Sequence, residues 1–103
     1  MIMAGKLGVF VSSDEHFDHL IGICRAAVKA GKEVEVFLSN EGVLLTQRQD
    51  FGELEKYCHI RLCNIGFEKR GLKKPVPGVA DEDFGTQMRN AMLIEDCDRY
   101  IVL

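Results

Sequence analysis

Strand-like and helix-like segments alternate along this sequence, and their order constrains the fold more than any other feature. The run Leu7–Val11 is apolar without alternation, as in a strand that is buried on both faces. Apolar residues then recur at helical spacing from Phe17 to Val28, and Gly31 follows where such a helix would end. A second strand-like run spans Glu33–Leu38. This alternation predicts a three-layer α/β/α sandwich around a mostly parallel sheet of four or five strands.

The rest of the chain continues the alternation without an internal repeat or a linker, so we predict a single domain over residues 1–103. In a parallel sheet, ligand sites lie beyond the carboxyl ends of the strands. This rule directs attention to the loops Ser12–His16, Ser39–Gly42 and Cys63–Ile65 and to the region after Arg99. The remaining predicted elements are a short helix or turn at Val43–Leu45, a helical segment at Glu53–Tyr57, a strand at His59–Cys63, a helix at Asn64–Arg70 ending at Gly71, a loop at Leu72–Asp83, a helix at Phe84–Glu95 and a last strand at Tyr100–Leu103.

Charge and hydropathy exclude several classes of protein. The formal net charge of −3 disfavours a general nucleic-acid binder, which needs a basic surplus to neutralise phosphates. No apolar run approaches the roughly 18–20 residues of a membrane span. The start, Met1–Lys6, lacks the basic-then-apolar order of a signal peptide. We therefore expect a cytoplasmic protein with no membrane partner and no direct nucleic-acid partner.

The expected site loops also lack the motifs of common α/β chemistries. The first loop, Ser12–His16, has no glycine and holds two acids, which disfavours mononucleotide or flavin binding. The third strand ends in Cys63 and Asn64, whereas a response-regulator receiver needs an acidic cluster there. Ser12 and Ser13 lack a nucleophile elbow, so we predict that they cap the first helix.

Four cysteines are present, and no pair has the C-x-x-C spacing of a zinc or thioredoxin-like motif, so we predict free thiols and no metal site. Cys24 lies on the apolar helical stripe and is predicted to pack in the core. Cys97 stands between Asp96 and Asp98, and flanking acids disfavour thiolate chemistry. Cys58 begins the third strand, at the end opposite the expected site. These three cysteines are predicted to be structural.

Cys63 occupies a different position, because it ends the third strand and opens the helix that begins at Asn64. A helix N-terminus stabilises a thiolate, and Arg70 would add positive potential. Asn64 would serve either as a side-chain donor or as a helix cap. His59 lies roughly 13 Å along the strand from Cys63, so His16, in the first loop, is the histidine with an approach to it. From these residues alone, a packed thiol and a reactive thiol remain equally open.

Four stretches carry a family pattern in their order and spacing: Ala26–Phe37, Asn40–Val43, Ile60–Leu72 and Asp98–Leu103. The second is similar to an acid-Gly-Val turn. The third runs through an apolar strand, a cysteine, a short helix, Arg-Gly and an apolar residue. Together these stretches, which span nearly the whole chain, resemble the DsrE/DsrF family of small sulfur-relay proteins, which includes subunits that deliver sulfur for tRNA thiolation.

The resemblance implies a DsrE-like fold and a sulfurtransferase-like function, since active members hold a persulfide on the cysteine that Cys63 matches. Asn40, Glu41 and Gly42, in the matched turn, are candidate supporting residues. The resemblance also implies sulfur donor and acceptor proteins as partners and a homo-oligomer, a trimer or a hexamer. The relay chemistry itself requires no cofactor. The chain departs from the pattern in having Asn40-Glu41 for the commoner Asp-containing pair and in its long Lys73–Asp83 loop, so the subfamily and the partner stay open.

A second function stays open, because some family members lack the cysteine and serve as structural partners. The alternative is a non-catalytic assembly subunit or a small-ligand binding module on the same fold. We expect a carrier to expose a low-pKa thiol at the mouth of a cleft, and an assembly subunit to bury it.

Overall fold

The computed structural model describes residues 5–103, which form one all-parallel, five-stranded sheet flanked by helices. The predicted α/β fold with its parallel sheet is therefore confirmed. Met1–Ala4, on which the signal-peptide expectation partly depends, lie outside the described residues. The strands are β1 (Lys6–Val11), β2 (Glu33–Leu38), β3 (His59–Cys63), β4 (Phe84–Gly85) and β5 (Arg99–Val102), in the spatial order β4-β3-β2-β1-β5. The α-helices are α1 (Phe17–Lys29), α2 (Asn64–Lys69) and α3 (Gln87–Asp96), and 3₁₀-helical segments span Asn40–Gln47, Phe51–Lys56 and Asp81–Asp83.

The strand order explains the three layers. The chain steps in one direction across the sheet from β1 to β4, and right-handed crossovers put the intervening helices on one face. It then returns through α3 to β5 at the far edge, which puts α3 on the opposite face. The buried side chains agree, since Leu20 of α1 and Phe67 of α2 share one cluster and Leu93 of α3 belongs to another. Among residues 5–103, no helix has both the length and the apolar character needed to cross a bilayer.

The larger core lies between the sheet and the layer that holds α1 and α2. Alternate residues of β1, Leu7, Val9 and Val11, point into it, as the predicted buried strand requires. The two helices end as the sequence predicts, because Gly31 and Gly71 adopt the left-handed conformation with φ of +80° and +73°. The other buried members of this core are Phe17, Leu20, Cys24, Val34, Val36, Leu38, Val43, Leu45, Phe51, Leu54, Ile60, Leu62, Phe67, Val76 and Val79.

The opposite face of the sheet is divided between apolar and charged side chains. Its apolar part is a cluster of Phe37, Cys63 and Leu93, against which Phe10, Cys97 and Tyr100 pack. The rest carries what we call the ionic row, in which acids and bases alternate across the strands. In order, the row contains Asp96, Lys6, Glu35, Arg61, Asp83 and His59, and the nitrogen–oxygen distances between successive members lie between 2.9 and 3.1 Å.

Loss of Arg61 should destabilise the fold, since this residue holds two acids that are almost fully buried. Its guanidinium lies 3.1 Å from Glu35 Oε2 and 3.1 Å from Asp83 Oδ1. We expect Arg61→Met to lower the free energy of unfolding in urea by about 1–3 kcal/mol, below the full cost for a completely buried pair. Lys56→Met removes an exposed pair with Glu53, which water and salt screen, so it should lower the unfolding free energy far less. Equal losses in the two variants would contradict this role for the row.

The Lys6 end of the row should make stability depend on alkaline pH. Partial desolvation lowers the pKa of Lys6, but hydrogen bonds with Asp96 and Glu35 raise it by more, so the pKa lies above its ordinary value of 10.5. A raised pKa means that the contribution is complete below pH 10.5 and is lost as pH rises through the folded-state value. The urea midpoint should therefore fall more steeply above pH 10.5 in the parent than in Lys6→Met. Equal slopes of urea midpoint against pH in the two proteins would contradict this contribution of Lys6.

Two details of the predicted elements are wrong. The helix predicted over Phe84–Glu95 begins later, because Phe84–Gly85 pairs with β3 and Thr86 caps α3 by accepting a 3.2 Å hydrogen bond from the Met88 N–H. The buried residue of α3 is Leu93, whereas Met88 and Met92 of the expected apolar stripe are exposed. The sheet pairing and the position of α3 over a partly charged face therefore override the local periodicity.

The segments around α1 and β2 also differ from expectation. Ser12 and Ser13 do not cap α1. The cap residue is His16, and Ser13 Oγ instead accepts a hydrogen bond from the Glu15 N–H at 3.1 Å. The two helical segments predicted between β2 and β3 are present as 3₁₀-helices, but they begin earlier than predicted, at Asn40 and at Phe51.

Candidate functional site

Cys63 lies at the point in the sheet where the chain changes faces. After β3 the chain enters α2 on one face, and after the neighbouring β4 it enters α3 on the other. Cys63 pairs in register with Gly85, so both stand at the carboxyl ends of these strands. Adjacent strands whose helices diverge leave a crevice between them, and this is where open α/β sheets bind ligands.

The crevice is a cleft of about 450 Å³, which we call the Cys63 cleft. One wall comes from α2 and another from the turn that follows β2, while the start of α3 closes a third side. Its lining residues are Ser39, Asn40, Cys63, Ile65, Gly66, Lys69, Arg70 and Gln87.

The sulfur of Cys63 has a defined position in this cleft. Cys63 is the N-cap residue of α2, and its Sγ accepts a hydrogen bond from the Gly66 N–H at 3.5 Å. The residue is only 7% exposed, which is less than we expect for a freely accessible nucleophile. The thiol therefore belongs to the cleft wall, with an amide donor beside it.

Arg70 ties α2 to the turn after β2. Its guanidinium donates to the Gly66 carbonyl oxygen at 3.2 Å and to Glu41 Oε2 at 3.2 Å. Glu41 is half-exposed, so the pair leaves Arg70 beside the cleft with a surface counter-charge. The exposed Lys69 adds a second cation to the lining. The predicted support residues Arg70, Asn40 and Glu41 are thus gathered around Cys63.

The turn after β2 reaches the site because Gly42 permits a close approach. The Ser39 N–H donates to the Val11 carbonyl oxygen at 2.9 Å, and the Gly42 N–H donates to the Ser39 carbonyl oxygen at 2.8 Å. A Cβ on Gly42 would overlap that same Val11 carbonyl oxygen. Asn40 adopts a φ of +50° in this turn, a conformation that asparagine tolerates better than most residues. Gly42 therefore contributes to the site by allowing the turn to pack closely against the end of β1.

Of two polar side chains near Cys63, Gln87 lines the cleft and Asn64 does not. Asn64 is the first residue of α2, and the cap role predicted for it belongs to Cys63. Asn64 Oδ1 is buried and has no hydrogen-bond partner among residues 5–103. Gln87 Nε2 donates to Ser39 Oγ at 2.8 Å and bridges α3 to the end of β2. Sequence reasoning missed Gln87, because it follows the two-residue β4, which carries no periodicity of its own. Ser39 lay in a loop that the strand-end rule had selected, and the polar residue after an apolar strand was the available signal.

His16 is not part of the Cys63 cleft. It lines a separate cleft of about 210 Å³ with Glu15, Phe17, Asp18, His19 and Arg48. Its ring stacks on that of His19 with 5.8 Å between centroids. The expectation that His16 approaches Cys63 is therefore not supported, because the helix start directs it toward α1. No group of three or more histidine, cysteine, aspartate or glutamate residues within the described part of the chain is placed to hold a metal ion.

The other three cysteines occupy structural positions. Cys24 is fully buried in the larger core, as predicted. A hydrogen bond with Cys24 and burial together raise the pKa of the Cys58 thiol well above its ordinary value. Cys97 packs beside Gly8 and directs its Sγ toward the Ile94 carbonyl oxygen at 3.8 Å. None of the three lines the Cys63 cleft.

No family model, curated protein or solved structure matches this chain. The DsrE/DsrF resemblance therefore stays a prediction from the sequence stretches, and the chemistry of the site has to be argued from its geometry. That geometry joins a thiol, an amide N–H donor and two cationic side chains at one crevice. Amide N–H groups and cationic side chains are the groups that bind anions in proteins.

Proposed function

We propose that this chain is a sulfur-relay protein that carries a persulfide on Cys63 and passes the outer sulfur to a partner protein. One observation carries the proposal: the Cys63 sulfur lines a crevice at the carboxyl edge of the sheet, beside the Gly66 N–H and the cations Lys69 and Arg70. The sequence stretches similar to the DsrE/DsrF family support the same role independently.

The relay consists of two sulfur-transfer steps. The Cys63 thiol first loses its proton to solvent, and the thiolate attacks the outer sulfur of a donor persulfide. The donor's sulfur–sulfur bond breaks, the donor leaves as a thiolate, and Cys63 becomes Cys63–S–S⁻. A thiolate on the acceptor then attacks the outer sulfur and displaces the Cys63 thiolate. Neither exchange needs a metal or an organic cofactor, and both rates depend on thiolate fraction and on access.

The site residues have defined roles in these exchanges. The Gly66 N–H already donates to the sulfur, and it would hold negative charge there during each attack. Lys69 and Arg70 supply positive potential along the route into the cleft. The turn after β2, which contains Asn40, Glu41 and Gly42, positions one wall of the cleft. Glu41 binds Arg70, and Gly42 lets the turn pack closely against β1.

The proposal is tested by intact-mass spectrometry after incubation of the reduced protein with a small-molecule persulfide donor. We expect the mass of one sulfur atom to be gained, and to be removed by a mild thiol reductant. A protein that gains no sulfur, although its four thiols are shown to be reduced, would contradict the carrier function.

A second candidate, a non-catalytic assembly subunit, is favoured by the burial of Cys63 and by the exposed Met88 and Met92 of α3. An apolar helical surface of this kind suits a contact with another subunit. The homo-oligomer that the resemblance implies, a trimer or a hexamer, fits either candidate. A monomer mass in light scattering at working concentration would contradict the homo-oligomer. Sulfur loading on Cys63 would contradict the purely structural role.

A further inference from the structure

Positive charge is concentrated beside the Cys63 cleft in a chain that is acidic as a whole. Residues 64–74 contain four of the 13 basic residues but one of the 16 acidic residues. The four bases are Lys69, Arg70, Lys73 and Lys74, and the formal net charge of the chain is −3. The remainder of the protein is therefore more acidic than the total suggests, and the field on this side has the opposite sign.

This segment also presents apolar surface. Ile65 is 67% exposed at the lining of the Cys63 cleft. A second cleft of about 480 Å³ is lined by Phe67, Glu68, Gly71, Leu72, Lys73 and Lys74, so one acid stands beside two lysines there. Residues of α2 line both clefts, Ile65 and Lys69 in the first and Phe67 and Glu68 in the second. An exposed apolar residue beside cations suits a segment that carries both acidic and apolar side chains.

The cationic groups are held in place to different degrees. The Lys74 ammonium lies 4.6 Å from the centroid of the Phe84 ring, and Arg70 is paired with Glu41 at 3.2 Å. All three lysines of this segment are exposed. Lys69 and Lys73 steer an anionic chain, while the contacts of Lys74 with Phe84 and of Arg70 with Glu41 fix the position of the other two cations.

We propose that Ile65, Lys69, Arg70, Lys73 and Lys74 form a docking surface, the basic surface, for an acidic segment of a protein partner that exchanges sulfur with Cys63. This inference rests on the proposed function for its purpose, and it adds the chemical class of the partner. The partner presents carboxylates to the lysines and an apolar side chain to Ile65, which brings its thiol to the mouth of the Cys63 cleft.

A protein segment fits this surface better than an RNA strand. RNA recognition in single strands relies on aromatic side chains that stack on bases. Here the neighbouring aromatic rings are taken up, since Phe67 is buried and packs edge-on against Phe84 at 5.1 Å, while Phe84 is covered by Lys74. The exposed aliphatic Ile65 offers no stacking plane. The negative total charge would also repel a longer nucleic acid beyond the segment.

The test is fluorescence anisotropy with three labelled probes of matched length: a peptide of glutamate, leucine and serine, the same peptide with lysine for each glutamate, and a single-stranded RNA. We expect the acidic peptide to bind at least about tenfold more tightly than either other probe at low salt. Lys69→Glu with Lys73→Glu should weaken that binding by about tenfold. Lys29→Glu with Lys56→Glu makes the same charge change elsewhere on the surface and should alter it by less than about twofold.

Tighter binding of the RNA would replace the protein partner by a nucleic acid. Equal losses in the two double variants would mean that only total charge matters, and either result would overturn the basic surface. The assay uses no sulfur chemistry and can be repeated in Cys63→Ser, so it fails separately from the proposed function. Sulfur loading without a preference for the acidic peptide removes the docking surface alone. Preferential binding in a protein that never loads sulfur keeps the acidic partner and removes the relay.

Discussion

Replacing Cys63 by serine should abolish sulfur loading while leaving the fold intact. Serine is nearly isosteric, and its oxygen would still accept the hydrogen bond that the Gly66 N–H now donates to sulfur. The free energy of unfolding should therefore change by less than about 1 kcal/mol, while the gain of one sulfur atom after donor treatment disappears. Intact-mass spectrometry and urea unfolding of the same preparation measure the two effects.

Cys24→Ser is the matched control, because it makes the same atomic change in the larger core. It places a hydroxyl in the apolar core, beside the weakly hydrogen-bonding Cys58 thiol, and should cost about 1–3 kcal/mol. Its folded fraction should load sulfur as the parent does. A Cys63→Ser protein that still accepts sulfur, or a Cys24→Ser protein that folds but loses loading, would move the chemistry away from Cys63.

Gly42→Ala should have the largest effect on stability among the substitutions considered. The added methyl group would overlap the Val11 carbonyl oxygen, which already accepts the Ser39 N–H. The overlap can be relieved only if the turn moves away from β1, because the methyl group and the carbonyl oxygen are both attached directly to the backbone. We expect a loss of about 3 kcal/mol in unfolding free energy, at the upper end for overpacking. Urea or thermal unfolding measures it.

Gly52→Ala provides the control, because it lies in the next 3₁₀-helical segment and nothing stands within 4 Å of its added methyl group. Its stability should change by less than about 1 kcal/mol. If Gly42→Ala folds as stably as Gly52→Ala, then the close approach of the turn to β1 does not hold the site together. Folded Gly42→Ala with normal sulfur loading would likewise separate the turn from the function.

The fold was predictable wherever short-range pattern reflects burial. The run Leu7–Val11 lacks polar residues because it sits inside the sheet, and Glu33–Leu38 was predicted to the residue. Gly31 and Gly71 end their helices because each position requires a positive φ, which is a local demand visible in the sequence. Each of these elements therefore leaves a signature within its own few residues of sequence.

Features that depend on distant partners were not predictable in the same way. The two-residue β4 exists because it pairs with β3, and no periodicity can appear over two residues. The exposed stripe of α3 follows from the charged part of the face beneath it, where Glu35 and Arg61 are paired. Within the site, the strand-end rule selected Cys63, whereas Gln87 required knowledge of β4 and of the return of the chain through α3.

The position of the transferred sulfur tests the central claim most directly. The donor-treated protein is alkylated at its thiols and persulfides, digested and analysed by tandem mass spectrometry, which assigns the extra sulfur to one cysteine-containing peptide. The account predicts that the sulfur is found on Cys63 and that Cys24, Cys58 and Cys97 carry none. An extra sulfur on any of those three cysteines, with Cys63 unmodified, would contradict it.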